Sequence, residues 1–327
     1  MKRSALIFPI SLLALASLVH AEPKEAKKST PVPAPAPLDP ATSKAIPVLI
    51  DGAEFTKYIY QGVPKPVLFP IVGPYGLEMT RNWPLRTAKA GEELDHPHHQ
   101  SLWFAHGDIN GVDFWTIGEK AGKITVQGEP KVEVVKGETT ITSSEIWSGP
   151  DGKQMLTSQT KILCAGDKDN RIIDYTITLN ASDADLVFGD TKEGTMALRV
   201  RPELNLPNKK GIAVVTNSGG ETGQGVWGKK AAWVDYSAVI DGKSVGIAAF
   251  DHPSNLRHPT TWHARDYGLF AANPFGLHDF EKAPAGTGKH TLKKGESLTF
   301  RYRWLFHAGD AKAADVAGKF TQWTKEK

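Results

Sequence analysis

The sequence predicts an all-β protein, a large antiparallel β-sandwich with one helix at its C-terminal end. Three observations carry that reading. Runs rich in β-branched and aromatic residues recur from Ile46 onward, and Gly, Pro, Asn and Asp interrupt them at short intervals. Near the end, Phe300, Tyr302, Trp304 and Phe306 alternate with Arg301, Arg303 and His307, as a two-faced strand requires.

In chain order, residues 1–21 read as a cleaved secretory signal. Lys2 and Arg3 precede the apolar stretch 4–18, and Val19-His20-Ala21 supplies a small-residue cleavage site before Glu22. The expected location is therefore the periplasm or the exterior. The apolar stretch is short for a membrane span, which needs about 20 residues. Residues 22–45 include Pro31, Pro33, Pro35 and Pro37 and read as an extended, disordered tether with polyproline II character. Residues 46–327 are expected to form a single β-sandwich domain.

Within that domain, Lys131–Val135 and residues 139–142, 160–164 and 171–179 are predicted strands, with a turn at 150–153. Residues 96–106 read as strand-like, which would set His96, His98 and His106 on one side and His99 on the other. Residues 107–111 form a turn that presents Asp108 and Asn110. A polar loop at 189–194 carries Glu193, and Arg199 and Arg201 share a strand face opposite Leu198 and Val200. Asp310 is the expected cap of the terminal helix, in which Val316, Phe320 and Trp323 recur at helical spacing.

Composition narrows the function. Without residues 1–21 the chain has 37 basic side chains against 36 acidic ones, so neither a nucleic acid nor an anionic membrane is an expected partner. A single cysteine, Cys164, forbids an intramolecular disulfide and a cysteine metal cage, and its strand setting predicts a buried, inert thiol. No dinucleotide fingerprint, P-loop, nucleophile elbow or H-E-x-x-H pattern occurs.

The histidines carry the functional signal. His96, His98, His99 and His106 fall within residues 95–108, and His252, His258 and His263 within 251–263; Asp-His-Pro opens both segments. Imidazole suits proton transfer because its pKa lies near ambient pH. The favoured reading is acid-base chemistry on a sugar or oligosaccharide by hydrolysis, elimination or epimerisation. His98 or His106 would be the acid, Glu193 or Asp108 the base, and His263 would orient or share the proton. Arg81 and Arg265 would hold hydroxyls or a carboxylate, Trp103 or Trp262 would stack on the sugar, and His96, His99 and Asn110 complete the contacts. No cofactor is needed in this reading. One alternative is a divalent metal held by His98, His106, Asp108 and His263. The other is a non-catalytic sugar-binding module.

Residues 93–115, 188–194, 251–255 and 262–276 resemble the signatures of the secreted bacterial "PmoA family", often labelled methane oxygenase and otherwise a domain of unknown function. The likeness covers nearly all of Ile46 to the end. It implies membership in that group rather than methane oxidation, because the chain after residue 21 has no apolar run long enough for one span. It also implies a galactose-mutarotase-like sandwich, an architecture that sets histidines and a carboxylate on a concave sheet.

Overall fold

A computed structural model describes residues 38, 39 and 42–326. The expected signal, and the proline-rich segment through residue 37, lie outside the described residues. No helix among the described residues is long and apolar enough to cross a membrane.

Eighteen strands and two helices follow one another among the described residues. The first strands are β1 (Lys44–Ile50), β2 (Ala53–Gln61), β3 (Val67–Ile71), β4 (Leu102–His106), β5 (Lys123–Val126) and β6 (Lys131–Val135). Next come β7 (Glu138–Ser148), β8 (Gln154–Gly166), β9 (Asn170–Asn180), β10 (Leu186–Phe188), β11 (Gly194–Arg199) and β12 (Val214–Asn217). Then β13 (Trp233–Ile240), β14 (Lys243–Asp251), β15 (Thr261–Ala264) and β16 (Leu269–Asn273) lead to α1 (Leu277–Glu281). β17 (His290–Leu292), β18 (Ser297–Ala308) and α2 (Val316–Trp323) end the chain.

They build two large antiparallel sheets. One has seven strands in the order β1-β2-β3-β4-β11-β16-β15; the other has nine, eight of them in the order β12-β13-β14-β18-β9-β8-β7-β5 and β6 as the ninth, off that path. β6 pairs with β7, and β10 with β17. Aromatic side chains join the two inner faces: Phe104 meets Tyr175 and Phe300, Phe55 meets Phe306, and Phe270 meets Trp304 at 5.0 Å. This is the expected antiparallel sandwich. Its core forms because alternate residues of each strand point between the sheets.

β18 alternates as predicted, with Phe300, Tyr302, Trp304 and Phe306 all buried in the core. Its other face is covered rather than wet. α2 lays Val316 and Trp323 on Ala248, Phe250 and Leu305. Arg303 on that face is satisfied by Asp174 at 2.6 and 2.7 Å and by Glu326 at 2.9 Å.

Two local expectations change. The helix cap is Asp315, whose carboxylate accepts from the Gly318 amide at 3.3 Å. Asp310 caps a preceding turn instead, accepting from the Lys312 and Ala313 amides, because residues 310–315 turn before the helix begins. Residues 96–99 are a turn, not a strand: His96 has φ 46°, Pro97 has no amide hydrogen to give a ladder, and the His99 amide donates to the His96 carbonyl. Cys164 is buried, and burial pushes its thiol well above the usual range.

Candidate functional site

The outer face of the seven-stranded sheet carries the site. Strand register aligns Trp103 of β4 with Ala197 of β11, Ala271 of β16 and His263 of β15 in one rung. Strands lie about 4.8 Å apart, so this rung spans roughly 14 Å. Side chains on a rung share a face. The next rung, Phe104–Met196–Ala272–Trp262, points into the core, as the contacts of Phe104 and Trp262 require. The outer rung therefore has an indole at one end, an imidazole at the other and two methyl groups between them; all four are buried, so they form the floor of a trough that the loops above it cover.

The 93–99 turn stands over the Trp103 end. His99 stacks on Trp103 at 5.4 Å, and His96 stacks on His99 at 4.7 Å and on Tyr267 at 5.1 Å. His98 stands edge-on to His99 at 4.5 Å and faces Trp115. Two buried arginines hold this turn. Arg81 donates to Asp95 at 2.6 Å and to the carbonyls of Glu93, His96 and His99. Arg199 donates to Asp95 at 2.9 Å and to His99 Nδ1 at 2.9 Å. Guanidinium cannot accept, so His99 Nδ1 is the acceptor and Nε2 carries the proton. Asp95 also accepts from His96 Nδ1 at 2.7 Å.

The far wall is built by the β15–β16 turn and the segment before β13. His263 Nδ1 donates to the Lys192 carbonyl at 2.9 Å, which leaves Nε2 as a lone pair. Its ring meets the Trp227 edge at 6.4 Å. The Arg265 guanidinium lies over Trp227 at 5.8 Å and over Tyr267 at 5.4 Å. Gln224, Trp227, Ala264, Arg265 and Asp266 line a cleft of about 220 Å³. The two walls are thus linked by ring contacts through His96, Tyr267, Arg265, Trp227 and His263. Glu193 stands at the rim, beside Lys192 at 3.3 Å, where its charge raises the Tyr267 hydroxyl after burial has done most of the raising.

Burial holds the rings of His98, His99 and His263 neutral. Burial, reinforced by Lys65 and by neighbouring cations, pushes His98 down to about 3. Burial also pushes His263 to about 3, against its bond to Lys192, and Arg265 and His96 add to the lowering. Burial raises the Asp95 carboxyl, but the His96 hydrogen bond and the Arg199 and Arg81 charges outweigh it and hold it well below the ordinary range. Lys65 is fully buried, bonded to the carbonyls of Phe114 and Trp115, and burial lowers it to about 7.

His96, His98 and His99 stand at one end of the outer face and His263 and Arg265 at the other, joined by the ring contacts above, with Glu193 beside Lys192, while other predicted residues serve elsewhere. His106 shares the parity of Phe104 and turns inward: its Nε2 meets the Gly189 carbonyl at 3.0 Å and its ring packs on Phe188 and Phe275. Asp108 organises its turn by accepting from the Gly111 amide at 2.8 Å. Asn110 ties that turn to Asp185 and Val187. Arg81 spends its donors on the 93–99 turn. Trp103 and Trp262 are fully buried, so neither offers a face to a ligand; Trp262 donates to the Ala231 carbonyl inside the core. The metal set of His98, His106, Asp108 and His263 is divided between opposite faces of the sheet, and no three His, Cys, Asp or Glu side chains converge as a metal group among the described residues.

The second histidine segment also splits. His258 and the Thr260 amide both donate to Asp251, and His252 binds Ser254 and faces Trp323. The repeated Asp-His-Pro is thus a turn device in both places, with the aspartate as its hub. Asn273 donates to the Thr191 carbonyl at 3.0 Å. Sequence reasoning missed Lys65, whose only local mark is its position between Pro64 and Pro66, and the part played by Tyr267 as the link between walls.

Residues 45–321 match a family described as "Family of unknown function (DUF6807)". No curated protein matches the chain. Among solved structures, a β-arabinopyranosidase is 12% identical with a TM-score of 0.43, over 81% of this chain and 40% of that one. A variant of a Glycoside Hydrolase Family 97 enzyme from Pseudoalteromonas sp. strain K8 is 13% identical with a TM-score of 0.34, over 84% and 36%. A galactose mutarotase-like protein from Clostridium acetobutylicum is 10% identical with a TM-score of 0.36, over 82% and 99%. The chain spans less than half the length of the first two, and at these scores the likeness carries no activity across.

Proposed function

The chain belongs to the DUF6807 family of unknown function, and from that premise we propose that it is an exported carbohydrate-active protein whose trough binds a sugar or oligosaccharide and moves protons on it. One observation supports this above the rest. His98 has no hydrogen-bond partner on its ring among the described residues and stands against His99 and Trp115, and His263 keeps a free Nε2 with its ring beside Trp227. Unpaired imidazole nitrogens next to aromatic faces are what a polyhydroxylated ring needs, one for its hydroxyls and the other for its apolar side. The resemblance of residues 93–115 to the secreted "PmoA family" is in keeping with an extracytoplasmic setting.

Held neutral by burial, His98 and His263 carry no proton to give at neutral pH. The acid role assigned to His98 from sequence therefore passes to another group, and Glu193 is the carboxyl at the rim. The test is turnover of an oligosaccharide panel by the purified protein and by His98→Ala and His263→Ala, with products separated by chromatography. We expect each variant to lose about 100-fold, within the range general-base removal produces. Equal turnover by all three proteins removes both histidines from catalysis.

A non-catalytic sugar-binding module is the second reading, and the low imidazole pKa values favour it. A base near 3 captures protons weakly at neutral pH. Ligand-induced change in tryptophan fluorescence with no product under any condition would select this reading over the first.

A further inference from the structure

We propose that Arg265 is the anchor for a carboxylate group on the ligand of this cleft, so that the saccharide it takes is an acidic one. This rests on the carbohydrate reading above and names the class of sugar within it.

The cations that surround the trough are otherwise accounted for. Arg81 and Arg199 share Asp95. Lys192 pairs with Glu193 at 3.3 Å. Lys65 is consumed by two backbone carbonyls. Among these, only the Arg265 guanidinium has no hydrogen-bond or ion-pair partner among the described residues. Its neighbours do not compete for it: the Asp266 carboxylate accepts from Asn208 Nδ2 at 2.7 Å, and Glu193 leans on Lys192.

The guanidinium is nevertheless held in place. Trp227 and Tyr267 present ring faces to it at 5.8 and 5.4 Å. Cation–π contact restrains the plane of a guanidinium without using its N–H groups. The result is a planar fork of donors, half-buried in a lined cleft, with nothing to donate to. That geometry matches a carboxylate, which takes two parallel N–H bonds from one arginine.

The surrounding field has the same sign. One carboxylate, Asp95, faces two buried guanidinium groups. Cations are accordingly among the influences that lower His98 and His263. The cleft itself carries one carboxylate, Asp266, beside Arg265, so the pull on an anionic ligand comes from the unpartnered fork together with the cations of the adjoining turn.

The test compares trigalacturonate with its fully methyl-esterified form, in which each carboxylate is neutralised by an added methyl group, by calorimetry on the complete protein, Arg265→Gln and Arg265→Lys. Sodium acetate and sodium sulfate serve as sugar-free probes, and thermal melts report whether each variant is folded. The expected result is acid binding at least tenfold tighter than ester binding, a preference erased in Arg265→Gln, partly kept in Arg265→Lys, and weakened between 50 and 300 mM salt. Equal affinity for acid and ester, or an unchanged preference in a folded Arg265→Gln, overturns the anchor. So does an absence of binding by every anionic probe. If the ester binds equally well and His98→Ala abolishes that binding, the anchor falls while the carbohydrate reading stands. If acetate or sulfate binds through Arg265 and neither saccharide does, the anchor stands and the carbohydrate reading falls.

Discussion

Asp95 shows how much one side chain organises here. Its carboxylate is the common partner of Arg81, Arg199 and His96, and through Arg199 it fixes the tautomer of His99. Both arginines are buried, so removing the carboxylate strands two guanidinium groups away from water. Asp95→Asn should lower stability by about 3 kcal/mol, the cost of leaving a buried ion pair without one partner. A chemical denaturation curve reads this directly, and a midpoint within error of the parent would refute it. At this scale the sequence told residue types but not their partners. The clusters marked His98 and His263, which stand at opposite ends of the outer sheet face. The same clusters marked His106 and Trp262, which face the core, because one residue of strand parity decides the face.

At the scale of elements, local pattern was most legible where periodicity was long. The alternation in β18 and the helical spacing of Val316, Phe320 and Trp323 both reappear in the fold. Legibility failed at boundaries, where an aspartate five residues early and an aspartate at the helix start look alike. α2 is short, and its stability comes from packing: Trp323 meets Phe250 at 6.0 Å, His252 at 5.1 Å and the Arg303 guanidinium at 5.4 Å. Trp323→Ala should therefore cost about 3 kcal/mol or more, and Asp315→Ala about 1 kcal/mol for the lost cap. Asp310→Ala should cost less than Asp315→Ala. Thermal melts of the three variants would expose the assignment as mistaken if Asp310→Ala were the more damaging of the two aspartate changes.

For the whole molecule, the buried imidazoles set the response to acid. Burial leads the lowering of His98 and His263 to about 3 and of His106 to about 4. In the folded state these rings stay neutral, while in the unfolded chain they take up protons below pH 6.5. The unfolded state then binds more protons, so stability rises with pH across this window and is lost as pH falls from 6.5 towards 4. Each such group contributes a slope of roughly 1.4 kcal/mol per pH unit. Urea midpoints at pH 7.5, 5.5 and 4.5 should fall steeply in that order. Midpoints independent of pH would mean that the rings are accessible and charged. The sequence by itself determined the class of this protein, since alternation and turn chemistry are local and act on neighbours along the chain. It also determined which residue types were available for chemistry. Only the tertiary structure decided which of them meet, because the rung Trp103–Ala197–Ala271–His263 is made by register between strands far apart in sequence. A slip of one residue in that register would turn His263 inward and bring Trp262 out, and no local pattern records which of the two faces water.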